Sequence, residues 1–106
     1  MSAIRKSETC EDQLRRMCKN IAEDIGKPVN DRADSFMDHV YDIEWITYQD
    51  KSYKAARLLV AGGGPNIWVN LQTNTVDGYW GCDKVTWGFV DELGLDDYLE
   101  ELYACS

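Results

Sequence analysis

The chain has 106 residues and a formal net charge of −8, with 44% hydrophobic and 28% charged residues. This is enough chain for one buried core and too little for a second domain, so residues 1–106 are read as a single domain. The longest apolar run, Leu58 to Ala61, falls far short of the roughly 20 residues of a membrane span. Met1 to Glu11 lack the apolar stretch of a secretory signal, so the sequence points to the reducing cytoplasm and to thiols rather than disulfides.

Thr9 followed by Asp12 has the form of a capping box, and Leu14, Met17, Cys18, Ile21, Ala22 and Ile25 recur at helical spacing. The spacing predicts a first helix ending at Gly26, where a left-handed cap is expected, with Pro28 blocking continuation. A second helix is expected from Asn30 or Asp31 to about Tyr41, with Ala33, Phe36, Met37 and Val40 inward and Asp34 in its first turn. From Ile43 the period shifts towards two and predicts a strand. A polar turn at Asp50 to Ser52 and a second strand from Tyr53 to Ala61 complete a hairpin.

Gly62, Gly63, Gly64 and Pro65 interrupt the pattern before a strand from Ile67 to Thr73. A two-residue turn at Asn74 and Thr75 would set Val69 opposite Trp80 and Leu71 opposite Gly78. Lys84 to Phe89 reads as the last strand. In the final segment Leu95, Tyr98, Leu99, Leu102 and Tyr103 share one arc of a helix, with Asp96, Asp97, Glu100 and Glu101 on the other. The fold class is α+β: an antiparallel sheet of four or five strands, with two N-terminal helices and one C-terminal helix on one face. Trp68 and Tyr79 fall on the face opposite Val69 and Trp80, and one of these faces is expected to be wet.

Charge is unevenly spread: residues 1–30 hold six Lys/Arg against five Asp/Glu, and residues 31–106 hold five against fourteen. An acidic surface repels nucleic acid, so no direct nucleic-acid binding by the acidic part is expected, the basic group Arg5, Lys6, Arg15, Arg16 and Lys19 is balanced locally by Glu8, Glu11 and Asp12, and a basic protein surface is the natural complement. Two acidic blocks are candidates. Asp34, Asp38 and Asp42 are spaced i, i+4, which on a helix makes a ladder with steps of about 6 Å. Asp91, Glu92, Asp96, Asp97, Glu100 and Glu101 form the second block, and Trp68, Tyr79 and Trp87 are the aromatic side chains available as desolvated anchors. Such rows imitate the spaced phosphates of a nucleic acid and would act by competition for a basic channel. A solvated face is the plain alternative.

Enzymatic readings are weaker. His39, flanked by Asp38 and Asp42, could pair with Cys82 in a small hydrolase or transferase, but nothing in the spacing brings the two together. Cys10, Cys18, Cys82, Cys105 and His39 lack the close pairs of a zinc site. The glycine run lacks the Lys-Ser/Thr and the following helix of a phosphate loop. No cofactor or metal is therefore expected, and the chain is read as a non-enzyme. Self-association through a spare sheet face is a further alternative.

The stretch from about Ile43 to Phe89, above all Gly62-Gly63-Gly64-Pro65-Asn66-Ile67-Trp68-Val69 followed by Val76-Asp77-Gly78-Tyr79-Trp80-Gly81, resembles a group of small uncharacterised proteins of bacterial phages and mobile elements. The resemblance implies a setting in which small acidic proteins serve as anti-CRISPR or anti-restriction inhibitors, with a nuclease or CRISPR effector as target. It transfers no functional residue.

Overall fold

The computed structural model describes residues 10–27 and 33–105. Helix α1 (Cys10–Gly26) and the short α2 (Ala33–Met37) precede strands β1 (Asp42–Thr47), β2 (Tyr53–Ala61), β3 (Asn66–Asn70), β4 (Thr75–Trp80) and β5 (Asp83–Gly88), and α3 (Leu95–Ala104) follows. The strands form one antiparallel meander in the order β1-β2-β3-β4-β5, the topology that short hairpin connections impose on consecutive strands. The α+β class and the three helices agree with the sequence pattern.

Both longer helices cover the same face. α1 packs on β4 and β5, and α3 packs on β2. Leu14, Cys18, Ala22 and Ile25 of α1 and Leu95 and Leu99 of α3 join Leu58, Ile67, Val69, Val76 and Val85 in one core. The helical period of three to four on α1 and the alternation of two on the strands each deliver an apolar side to this layer. α1 comes very close to the sheet at Gly78, where an added Cβ would lie 2.6 Å from Cys18 Sγ and 2.8 Å from Leu14 Cδ1. Glycine is required here for space, because any side chain would stand between helix and strand.

Several details differ from the sequence expectation. Thr9 and the expected start at Asn30 or Asp31 lie outside the described residues. Gly26 closes α1 without a left-handed φ; only Gly63, Gly81 and Gly94 among the described glycines have positive φ. α2 ends at Met37 rather than Tyr41, because tight i→i+3 bonds from the Asp38, His39 and Val40 amides turn the chain into β1. β3 ends at Asn70, whose side-chain oxygen accepts from the Gln72 and Thr73 amides at 2.9 and 3.3 Å. The turn is therefore longer than two residues, and Val69 pairs with Val76 instead of Trp80, a slip of four residues in β4. An even slip leaves every side chain on its face, which is why the expected faces survive the wrong register. Leu71, expected in the strand, sits buried in the turn with its amide donating to the Ala56 carbonyl at 3.0 Å.

Candidate functional site

The residues singled out in the sequence fall in three places. Asp34 begins α2, Asp38 lies in the turn after it, and Asp42 opens β1. The early end of α2 breaks the expected carboxylate ladder: acidic residues on a helix, a turn and a strand share no common row. Asp34 and Asp42 each accept from the amide of the next residue at 2.9 Å, a local bond that competes with regular structure.

The C-terminal block divides by role. Gly94, in the N-cap position of α3, has no side chain to cap the helix. Asp91 supplies what is missing: its two carboxylate oxygens accept from the Leu95 and Asp96 amides at 2.8 and 2.9 Å, meeting two of the helix's unpaired donors and opposing its dipole. Asp96 is half-buried, not on the outer arc, and accepts a 2.8 Å bond from the Tyr53 hydroxyl. Burial and this bond, with the charges of Asp96, Glu100 and Asp91, raise the Tyr53 phenol well above its ordinary range. Asp91 and Asp96 thus hold α3 in place. Glu92, Asp97, Glu100 and Glu101 remain exposed, and among the described residues no cation pairs with them.

Trp68 and Tyr79 lie on the sheet face that no described helix covers, opposite to the face bearing α3. The Arg57 guanidinium stacks 4.3 Å from the Trp68 ring and pairs with Glu44 at 2.7 Å, and the Lys84 ammonium lies 5.8 Å from the Tyr79 ring. These two aromatic residues therefore lie on the other side of the sheet from the α3 carboxylates, with Trp68 on the face of Asp42 and Glu44. Trp87 is half-buried under the helix layer with the core.

The aromatic residues next to α3 are others. Trp45 of β1, Tyr53 of β2 and Tyr103 of α3 form a triangle of rings with centroids 5.2 to 6.2 Å apart, and the Tyr103 hydroxyl donates to the Lys51 carbonyl at 2.7 Å. The sequence signal for Trp45 is its alternation with Thr47 and Gln49, read with Ile43 on the other side; the register instead puts Ile43 on the side of Trp45, and that this strand is an edge follows only from topology.

His39 lines a small cleft of about 260 Å³ with Ile21, Asp24, Ser35, Phe36 and Val60, whereas Cys82 lies in the β4–β5 turn. Three strand spacings of about 4.8 Å separate β4 from β1, so the fold does not bring this pair together. No group of three His, Cys, Asp or Glu side chains among the described residues is placed to hold a metal ion. No described helix is long and apolar enough to cross a membrane. Comparisons with protein-family models, curated proteins and solved structures find no match.

Proposed function

We propose that the chain is a non-enzymatic, acidic protein-binding inhibitor that presents the solvent side of α3 to a basic, nucleic-acid-binding surface, the type of target suggested by the resemblance to phage and mobile-element inhibitors. The observation that carries this reading is the contrast within one acidic block. Asp91 and Asp96 are engaged in folding the helix, while Asp97, Glu100 and Glu101, and Glu92 in the loop before the helix, are exposed and have no described cation. Four uncompensated charges on α3 and the loop leading into it set up a field that favours a cationic surface and disfavours the phosphates that surface normally holds.

Charge alone is modest. Exposed ion pairs contribute about 0.2–1 kcal/mol each, so four give about 1–4 kcal/mol, against the roughly 12 kcal/mol of a nanomolar complex. The carboxylates steer and select, and desolvated apolar contacts must supply the remainder. The test is capture of proteins from a bacterial lysate by the immobilised chain, compared with Asp97→Lys, Glu100→Lys, Glu101→Lys. Loss of basic captured proteins in the variant, and weakening of capture by added salt, are expected; an unchanged set at every salt concentration refutes the proposal.

A further inference from the structure

Among the described residues strand β1 is an edge of the sheet, paired with β2 alone, and no described backbone hydrogen bond joins it to an element other than β2. Edge strands of folded proteins are commonly protected by charged side chains, above all lysine, by proline, by β-bulges or by a covering element. β1, Asp-Ile-Glu-Trp-Ile-Thr, has no proline and no lysine and is protected by the charges of Asp42 and Glu44 and by the register shift at Ile46/Thr47, whereas the opposite edge, β5, carries Lys84 and lies under α1. Three of the large apolar side chains most exposed in the described chain line this edge: Tyr41 at 76%, Trp45 at 36% and Tyr48 at 55%. A sheet edge and exposed aromatic side chains therefore fall on one segment, 41–48, in which the Ile43 amide bonds the Asp42 carboxylate and the Lys54 ammonium lies 5.6 Å from the Tyr48 ring.

The ring triangle of Trp45, Tyr53 and Tyr103 is not itself a cage. Centroid separations of 5.2 to 6.2 Å put the rings in contact with one another and leave no room for a quaternary ammonium between them. Trp45 is instead a braced wall beside the edge. The side chains alternate along the strand: Ile43 and Trp45 point to the helix side, and Asp42 and Glu44 to the open face with Arg57 and Trp68. Asp42 accepts only from the adjacent Ile43 amide and Glu44 shares Arg57, so both carboxylates keep acceptor capacity for a cross-strand cation. On the helix side, Glu100 adds its charge beside Tyr53.

We infer that the outer edge of β1 binds an extended segment of a partner protein as a sixth strand, with Lys or Arg at alternate positions facing Asp42 and Glu44 and apolar residues between them against Ile43 and Trp45. This rests on the reading of the chain as a binder of basic protein surfaces, and it supplies the apolar anchoring which that reading needs. Backbone pairing supplies affinity, and the alternating side chains select the sequence, as in other strand-addition complexes. A second copy of the chain fits less well, because it brings two acidic strands and two acidic helices together.

The probe is a short blocked peptide alternating valine and arginine, titrated into the isotopically labelled full chain and followed by amide chemical shifts and hydrogen exchange. Shifts and new protection along 42–47 are expected. N-methylation of the valines or of the arginines should abolish binding in one pattern and spare it in the other, since only one set of amides faces β1. Asp42→Asn with Glu44→Gln, a pair that leaves the fold's apolar contacts intact, should weaken the peptide about fivefold.

Shifts confined to the outside of α3 or to the Trp68–Tyr79 face overturn the edge assignment while the acidic-surface reading stands. No response anywhere, or equal tolerance of both N-methylated forms, overturns it too, as does concentration-dependent protection of β1 without peptide. Failure of the α3 charge reversal to alter lysate capture, with the peptide still bound at β1, instead removes the reading on which this inference rests.

Discussion

The contact at Gly78 sets the height of α1 above the sheet, and Gly78→Ala measures it. Ordinary non-bonded carbon contacts lie at about 3.5–4.0 Å, while the new Cβ would stand 2.6 Å from Cys18 Sγ and 2.8 Å from Leu14 Cδ1. Both partners are fully buried, so neither can swing into solvent, and α1 must rise by roughly 1 Å in a close-packed interior. Overpacking of this kind costs about 1–3 kcal/mol, offset by about 0.5–1 kcal/mol from removing a flexible glycine from a strand. The net expectation is about 1–2 kcal/mol of destabilisation. Urea unfolding followed by tryptophan fluorescence would show it as a midpoint lowered by about 1 M, for a slope near 1–1.5 kcal/mol/M in a domain of this size.

Cys18→Ala alone should cost about 1 kcal/mol as a small cavity. Combined with Gly78→Ala it should give a chain more stable than the two single effects predict, by about 1 kcal/mol, because the methyl group added on the strand takes the space left by the sulfur. A Gly78→Ala variant as stable as the parent, or strict additivity in the cycle, would refute the account of α1 packing.

Asp91→Ala removes both acceptors at the start of α3 and should cost about 1 kcal/mol, read as faster amide exchange at Leu95 and Asp96 before any change in α1. Stability should fall as pH rises above about 10, the ordinary tyrosine value. There the unfolded chain releases the Tyr53 proton and the folded chain retains it, so unfolding is favoured until the raised folded value is passed; Tyr53→Phe should flatten that slope, and an unchanged slope would count against the Tyr53–Asp96 bond. Burial pushes the Cys18 thiol from 9.0 to about 11, so in a Cys10→Ser, Cys82→Ser, Cys105→Ser background it should react with thiol reagents only at the rate of opening, rising with urea. Immediate labelling of Cys18 would contradict its place beneath α1.

The legible parts of the fold are those governed by periodicity. The inward stripe of α1 from Leu14 to Ile25 and the bounds of β2 follow from spacing alone, and both are found as the sequence suggests. The turn after β3 escapes such reading because Asn70, rather than Asn74 and Thr75, organises it through its side chain, a local bond that strand alternation does not register. The acidic residues stand out by composition, but position on a wheel cannot sort them. Asp91 caps a helix from four residues before Leu95, and Asp96 faces Tyr53, 43 residues away in sequence; the first depends on loop geometry and the second on tertiary packing. The exposed edge at Trp45 is invisible for the same reason, since whether a strand is central or peripheral depends on what pairs with it.

The hairpin tips differ in how much change they can absorb. The Leu71 turn is pinned from below by its own buried side chain and by the bond to Ala56, so inserting residues there would pull on β2 as well. At Gly63 and Gly64 nothing lies within 4 Å of where a side chain would begin. A recognition tag, a protease site or new chain ends could be grafted at that glycine loop with the sheet unaware of the addition, giving a handle that leaves both α3 and the β1 edge free.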